Sequence, residues 1–470
     1  MYIVILQGKS LDGTLKSKYK EVKTMDKAVI FANPPAIARE GQQRRGMFPL
    51  PLIALADFLN HEIRIENVSP DLLADYSSVS AIVSSLNSDW LVVTCYQETM
   101  KSVVEIAKIA KNSGKKVVLG GHHITIWGGE KVLREIPEAD YVIVGEGEVP
   151  LRLLTEGVNP ERIPGLWWRK DEIIKTNRLP LYSDDWTNRP PMIKGYSAFN
   201  YSSLWKRNEK IGRTGYKRPF SIIGIRGCAY AQRTGRRCTF CAMPLSNRLR
   251  CRSPKHFWEE IVWMVNKFQV DLIWDHSDSL LGSRTWLTEI AECRPKNTPP
   301  IWCYGRADEI NPKTIELISK IGIEHVYIGV EVGSNERLKE IKKGITISQV
   351  LNAIRLCRRY NIRVQPSFIV GLPEETEESL RDTIKFAFQC KEEGADDIVF
   401  HEFILRKGLQ WWEILATKFP ELNRVVVDQG IVQKLLWQEF NPRLQREEVI
   451  EKVKDVLKEF PNSELTAWNI

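Results

Sequence analysis

The sequence has no apolar run long enough to cross a bilayer. Its uninterrupted hydrophobic stretches, such as Tyr141 to Val144, are a few residues long, against the roughly 18 to 20 a spanning helix needs. No basic residues precede the apolar stretch Met1 to Leu6, which breaks at Gln7, so a secretory leader is not expected and a cytoplasmic protein is. Internal repeats and low-complexity tracts are absent. The nine cysteines are an odd number scattered through 470 residues, which speaks against a disulfide framework and for reduced thiols or metal ligands. Acidic residues are missing from one long stretch: from Ser221 to Trp258 there are seven arginines and Lys255 but neither Asp nor Glu. The +8 of this stretch equals the net charge of the whole chain, so the remainder is close to neutral.

What is present is the composition of a folded protein, 43% hydrophobic and 27% charged, at a length that suggests about three domains. Residues 1–26 form an N-terminal extension with one strand candidate, Tyr2 to Leu6. Over residues 27–156 strands and helices alternate. Val29 to Ala32, Ile63 to Glu66, Leu91 to Thr94, Lys116 to Leu119 and Tyr141 to Val144 are the strands, with helices over Leu52 to Asn60, Leu72 to Leu86 and Met100 to Ser113 and near Val132. This pattern predicts a doubly wound parallel α/β sheet of Rossmann type. Residues 157–217, rich in Pro and Trp, form a linker with one hairpin across Arg169 to Glu172.

Alternation resumes over residues 218–406. Ser221 to Ile225, Leu272 to Trp274, Ile301 to Tyr304, Val326 to Val330, Ser367 to Val370 and Ile398 to Phe400 predict a partial (β/α)6 barrel, with its chemistry at the C-terminal strand ends. Ser253-Pro254 and Asn311-Pro312 mark helix starts, and Gly322 a helix stop. Residues 407–470 form a helical C-terminal region ending in an amphipathic helix around Val449, Ile450 and Val453. Trp411, Trp412 and Trp437 there suit either core or a pocket wall.

Directly after the first barrel strand stand Cys228, Cys238 and Cys241, spaced C-x9-C-x2-C in strongly cationic surroundings that lower thiol pKa and offset cluster charge. Cys251 extends the pattern to four thiols, so a zinc site, and with it a zinc-dependent nucleic-acid-binding protein, is the competing reading. The remaining cysteines read as inert core or surface thiols.

Gly227-Cys228 followed by Cys238-Thr239-Phe240-Cys241 resembles the radical SAM superfamily, whose usual spacing is C-x3-C-x2-C. Six extra residues separate the first two cysteines here, and Thr234-Gly235 is a turn that folds them back. Ser367 to Thr376 is similar to that superfamily's strand-five motif, matched at Ile369, Gly371 and Glu374 with Ser367 in first position. Val326 to Ser334 resembles the strand-four motif, with Val332 replacing the usual Ser, and is followed by Lys342-Lys343-Gly344-Ile345-Thr346. Trp302 to Ile310 resembles strand three.

The resemblance implies a [4Fe-4S] cluster on Cys228, Cys238 and Cys241 and S-adenosylmethionine on its free iron, with Phe240 near the adenine and Glu331, Ile369 and Gly371 along the ribose and adenine. It further implies a reducing electron donor such as flavodoxin or ferredoxin and a 5′-deoxyadenosyl radical that abstracts hydrogen. Arg306 and Asp275 read equally well as site neighbours or as ordinary salt-bridge partners, and Asp275, His276 and Asp278 as a polar turn.

Leu119-Gly120-Gly121-His122-His123, followed by Gly145-Glu146-Gly147-Glu148, resembles the cobalamin-binding domain that precedes many radical SAM methyltransferases. Thr94, Gly120 and Gly121 take the positions facing the corrin's nucleotide tail. Ala32-Asn33-Pro34-Pro35 holds no D-x-H-x-x-G motif, so no histidine is offered there as lower cobalt ligand. His122 and His123 read as cofactor contacts or as ordinary loop histidines. The function so implied is cobalamin-dependent methyl transfer to an unactivated carbon of a small-molecule, lipid or macromolecular substrate; cobalamin-independent rearrangement, coupling or sulfur insertion is the alternative. The arginine-rich insertion is a solvated loop, a phosphate-binding surface or a dock for an acidic electron donor.

Overall fold

The alternating signals resolve into two seven-stranded sheets in the computed structural model, which describes residues 28–32, 50–59, 64–67, 83, 88–176, 186–199, 201–202, 205–206, 215–244, 247–460 and 463–466. The first sheet contains β1 (Ala28–Ala32), β2 (Arg64–Asn67), β3 (Trp90–Thr94), β4 (Lys116–Gly120), β5 (Tyr141–Ile143), β6 (Leu166–Lys170) and β7 (Ile173–Thr176), in the order β2-β1-β3-β4-β5-β6-β7. Its first five strands are parallel. All five residues of β3 are buried, as expected of a parallel strand covered on both faces. Strand order reverses between β1 and β3, and the crevice at the carboxyl ends there is where open α/β sheets take ligands.

The hairpin assigned to the connecting segment joins this sheet instead. β6 pairs antiparallel with β5, and β7 with β6, through a turn in which Asp171 and Glu172 both have positive φ (51° and 62°).

The second sheet contains β8 (Pro219–Ile222), β11 (Leu272–Asp275), β12 (Ile301–Gly305), β13 (Ile323–Glu331), β14 (Arg363–Val370), β15 (Val399–Glu402) and β16 (Glu464–Thr466), all parallel and in that order; β9 (Ile225–Arg226) and β10 (Arg250–Cys251) form a separate antiparallel ribbon. The seventh strand, β16, comes from the tail that the sequence pattern marks only as helical. Of the two proline-marked starts, Pro254 does begin the helix Pro254–Phe268. Asn311-Pro312 instead begins a turn in which the Asn311 carboxamide accepts the Lys313 N–H (3.0 Å), and the helix Ile315–Ile321 starts three residues on. Gly322, at φ 82°, closes it. The Tyr2 to Leu6 strand, the segment after β1 and most of the Leu72 to Leu86 helix lie outside the described residues. Among the described residues no helix is long and apolar enough to cross a membrane.

Two joints hold the sheets against each other. In the first, Glu146 and Glu148 of the Gly-Glu-Gly-Glu string receive arginines from the acid-free stretch: Arg226 meets Glu146 at 3.0 Å and Glu148 at 2.6 Å, and Arg250 donates to Glu146 at 2.9 Å. Arg189 adds 3.5 Å to Glu148, and Arg226 lies 3.9 Å over the Trp186 ring. Burial opposes ionisation of Glu148, but Arg226 and Arg189 outweigh it and hold the carboxyl at about 2. Nearby, Arg252 and Glu260 form a fully buried bidentate pair at 2.8 Å.

The second joint is the C-terminal region, which crosses to the first sheet. Gln97 donates to the Leu405 carbonyl (3.0 Å), Glu135 accepts the Val425 N–H (2.7 Å), and Trp127 packs edge-on against Trp412. Trp411, Trp412 and Trp437 are accordingly buried core.

Candidate active site

The cysteine segment begins where the chain leaves β9. Gly227 has φ 93°, and a Cβ there would stand 2.1 Å from the Arg248 carbonyl oxygen, so only glycine passes. Cys228 opens the short helix Ala229–Thr234, and Gly235, left-handed at φ 66°, turns the chain back toward Cys238. The Cys241 N–H donates to the Cys238 carbonyl (3.1 Å), and the Thr239 N–H reaches the Ile341 carbonyl (3.0 Å).

All three thiols are half-buried, whereas Cys95, Cys303, Cys357 and Cys390 are buried in the core. The lowered thiol pKa expected from the cationic sequence is not what the fold produces: burial lifts Cys238 and Cys241 above the ordinary thiol value, outweighing Lys343 and Arg306 at Cys238 and the Met243 backbone and Arg237 at Cys241. Cys251 belongs elsewhere: burial lifts its thiol to about 11, and its charged and hydrogen-bonding neighbours are Ser283 and Glu289. Among the described residues no group of three or more His, Cys, Asp or Glu side chains is placed to hold a single metal ion; an iron–sulfur cube takes each of its cysteines on a different iron. The donor set thus fits a cluster: soft ligands, half-buried, in a cationic field.

Beside Cys238 lies a cluster that motif reading found only in part. β13 ends at Glu331, whose φ of 77° is rare for a residue with a side chain and coincides with a register shift against β14. The Glu331 carboxylate receives Lys343 Nζ at 2.5 Å, and both side chains are 8% exposed. A Cβ on Gly329 would stand 2.4 Å from that carboxylate, so glycine makes room for the pair. Lys343 Nζ is 5.7 Å from the Phe240 ring centre, and Arg306 donates to the Lys343 carbonyl (2.7 Å) and to Asp308 (2.9 Å). Lys343 carried no assigned role in the sequence; its place in the Lys-Lys-Gly motif was the available signal.

A cavity of about 410 Å³ lies between the two sheets. Tyr96, Gln97, His122, His123 and Ile126 form the wall from the first sheet's carboxyl edge; Phe240, Cys241, Met243, Ile369, His401 and Arg406 stand opposite. Phe240 and Ile369 therefore share one space with Cys241.

Gly371 does not join them. It has φ 77°, a Cβ on it would meet Trp437 at 2.5 Å, and its N–H donates to Glu375 (2.5 Å). Glu375 is buried while Glu374, the residue that matches the motif, is exposed, so the structural carboxylate sits one residue later.

At the first sheet's edge, Thr94 is buried and its side chain hydrogen-bonds Tyr96. Gly121, at φ 104°, would place a Cβ 3.0 Å from the Cys95 backbone and 3.1 Å from Thr94 Oγ1; Gly120 is less constrained, with its nearest neighbour at 3.8 Å. The crossing of β3 and β4 thus requires glycine at 121 with or without a ligand. His123 is anchored, with Nε2 2.7 Å from the Val425 carbonyl and burial lowering its pKa to about 4, while burial and Arg406 lower that of His122. A neutral imidazole pair beside Tyr96 on a cavity facing a cysteine loop is a wall that a large, mostly apolar ring can occupy, so the cobalamin fit is one of shape and polarity.

Of the acidic turn, Asp275 is fully buried and accepts the N–H groups of Gly224 and Ser277 (both 2.8 Å), burial lifting its carboxyl to about 6. Asp278 accepts the Gly227 N–H (3.3 Å), and His276 Nε2 stands 3.0 Å from Ser221 Oγ. The two carboxylates brace the backbone leading into Cys228 and do not line the cavity.

The Radical SAM superfamily profile matches residues 222–387, and the B12 binding domain profile matches residues 47–155. An uncharacterised methyltransferase of Pyrococcus horikoshii is 26% identical over 385 residues, 78% of either chain. The anaerobic magnesium-protoporphyrin IX monomethyl ester cyclase of Cereibacter sphaeroides is 26% identical over 365 residues, 73% of this chain and 54% of its own length. Among solved structures, the radical S-adenosylmethionine methyltransferase TsrM from Kitasatospora setae, with cobalamin and a [4Fe-4S] cluster bound, is similar with a TM-score of 0.63 at 19% identity, covering 83% of this chain and 79% of its own. The cobalamin-dependent S-adenosylmethionine radical enzyme OxsB, with aqua-cobalamin bound, gives 0.60 at 17%, covering 77% and 52%. At such identities the likeness to these two is one of fold.

Proposed function

Because this chain belongs to the radical SAM superfamily and carries a B12 binding domain ahead of the barrel, we propose that it transfers a methyl group to an unactivated carbon. The cofactors of that pairing of domains are a [4Fe-4S] cluster, S-adenosylmethionine and cobalamin; when bound, they supply the electron, the hydrogen-abstracting radical and the transferable methyl group. The observation that carries the reading is the shared cavity, with Cys241 and Phe240 on one wall and Tyr96 and His122 on the other.

In this reading Cys228, Cys238 and Cys241 each ligate an iron. Lys343 and Arg306 offset the cluster's negative charge, and Lys343 in turn fixes the Glu331 carboxylate beside the S-adenosylmethionine site. Phe240 and Ile369 offer apolar surface to the adenine. Thr94, Gly120 and Gly121 border the groove for the corrin's nucleotide tail, and Tyr96 and His122 face its ring. The contacts of Gln97 with Leu405 and of His123 with Val425 hold the C-terminal region against the first sheet on one side of the cavity. One observation favours the cobalamin-independent alternative: the sequence after β1 offers no histidine to cobalt.

The test is anaerobic reconstitution. Wild type and Cys251→Ala should bind iron with the absorption of a [4Fe-4S] cluster, and the triple alanine variant of Cys228, Cys238 and Cys241 should not; stoichiometric zinc without iron defeats the cluster. Cobalt retained after desalting from hydroxocobalamin supports methyl transfer, and its loss with S-adenosylmethionine cleavage intact favours the alternative.

A further inference from the structure

We propose that the exposed cationic ridge on the segment between Cys228 and Cys238 is a docking surface for an acidic one-electron carrier protein, an inference that rests on the cysteine loop holding a redox cluster. Six of the seven arginines of the acid-free stretch fall into two groups, Arg248 standing apart from both. Arg226, Arg250 and Arg252 are spent on Glu146, Glu148 and Glu260. Arg233, Arg236 and Arg237 are exposed.

These three are poorly compensated. Arg233 lies 3.3 Å from Asp308, a carboxylate it shares with Arg306. Arg236 makes no side-chain ion pair among the described residues, and Arg237 donates to the Met243 carbonyl, which leaves its charge uncancelled. Where the Tyr230 hydroxyl donates to the Lys342 carbonyl (2.9 Å), the ridge continues into exposed Lys339 and Lys342. Of the two acids on the helix that carries Lys339, Glu340 is taken by Arg337 at 2.7 Å and Glu336 lies in the helix's first turn.

Returning Cys238 to the cysteine loop needs only the left-handed turn at Gly235, which neutral neighbours would serve equally well. Clustered exposed cations repel one another and raise the free energy of the folded chain, so the fold itself does not explain them. Their position does. Arg237 adjoins Cys238 in the chain, so a protein seated on the ridge sits beside the cysteine loop. An acidic partner would be steered there electrostatically. One electron leaves its reduced flavin or iron–sulfur group, oxidising it by one unit, and enters the cluster, reducing it by one; no bond forms or breaks. Single-stranded RNA is less well matched, because base stacking needs free aromatic faces. The ridge's aromatic side chain, Tyr230, has Arg306 over its ring at 4.5 Å.

The experiment uses the reconstituted full chain and a bacterial flavodoxin in its hydroquinone form, with cluster bleaching followed by stopped flow and complex formation by calorimetry at low and high salt. Dithionite serves as a small reductant. The variant Arg233→Glu/Arg236→Glu/Lys339→Glu should bind flavodoxin and accept its electron at least about tenfold more slowly at low salt, with a flattened salt dependence. The glutamine counterpart should fall between it and wild type, with iron content unchanged in both and the rate with dithionite, a small anion, falling severalfold less than the flavodoxin rate. An unchanged flavodoxin rate overturns the proposal. Equal slowing with dithionite overturns it as well, since the arginines would then tune the cluster. Loss of oligoribonucleotide binding in the variant, with the flavodoxin rate intact, would assign the ridge to nucleic acid. Absence of iron from wild type would defeat the cluster reading beneath it.

Discussion

Glu148→Gln probes the joint between the two sheets with almost no change of shape. The carboxylate is 4% exposed and accepts from Arg226 at 2.6 Å, with Arg189 at 3.5 Å. The amide removes the nearer of the two carboxylates that each guanidinium faces, leaving Arg226 with Glu146 at 3.0 Å and Arg189 with Asp57 at 3.6 Å. Two routes give the size of the effect. Removing one member of a buried pair costs about 3–5 kcal/mol, because the other charge is stranded. The Glu148 carboxyl sits at about 2 against an ordinary 4.5, and at roughly 1.4 kcal/mol per unit that difference is worth about 3 kcal/mol.

A carboxyl whose pKa is lowered by folding stabilises fully above its unfolded value and loses that contribution as pH falls through the folded one. Urea unfolding followed by tryptophan fluorescence, with Trp186 stacked on Arg226 as an internal reporter, should therefore show the variant about 3 kcal/mol less stable at pH 7. The gap should narrow between about pH 4.5 and about pH 2. A loss under about 1 kcal/mol, or a gap indifferent to pH, would refute the idea that this ion pair couples the sheets.

Gly371→Ala should cost about 1–3 kcal/mol through its positive φ and the approach to Trp437. S-adenosylmethionine binding, measured by equilibrium dialysis, should survive; its loss in a variant that melts normally would return Gly371 to the cofactor site. Lys343→Met strands the buried Glu331 carboxylate and should cost about 3–5 kcal/mol in a thermal melt, while Lys343→Arg restores most of it. Equal stability of the two variants would contradict the pairing. Glu375 is lifted by burial to about 7, so the native state holds a proton that the unfolded chain releases near 4.5. Stability should accordingly fall as pH rises from about 4.5 to about 7, and Glu375→Gln should flatten that slope in denaturation series across the window.

Short-range signals carried most strands of both sheets and the cysteine loop. Parallel strands buried on both faces announce themselves as runs like Trp90 to Val93, and a left-handed glycine such as Gly235 is needed wherever a short helix must reverse. The strand-five motif was legible as far as Ile369, but a motif count cannot separate Glu374 from Glu375. Which of two adjacent carboxylates turns inward depends on the backbone at position 374, where φ is positive, and on Asn441, which arrives from 66 residues away to accept the Glu375 N–H.

Residue types within a few positions of one another thus disclosed the α/β class, the order of the two sheets and three thiols at a strand's end, because hydrogen-bond ladders, turns and ligand spacing are local constraints. The partners of the charges were not local. That Arg226 and Arg250 neutralise the Gly-Glu-Gly-Glu string, that Lys343 holds Glu331, that His123 is anchored on the Val425 carbonyl and that the tail contributes β16 all follow from packing segments from 12 to hundreds of residues apart. Burial decides which of several chemically equivalent arginines, glutamates and histidines must be paired, and burial exists only once the whole chain has closed on itself.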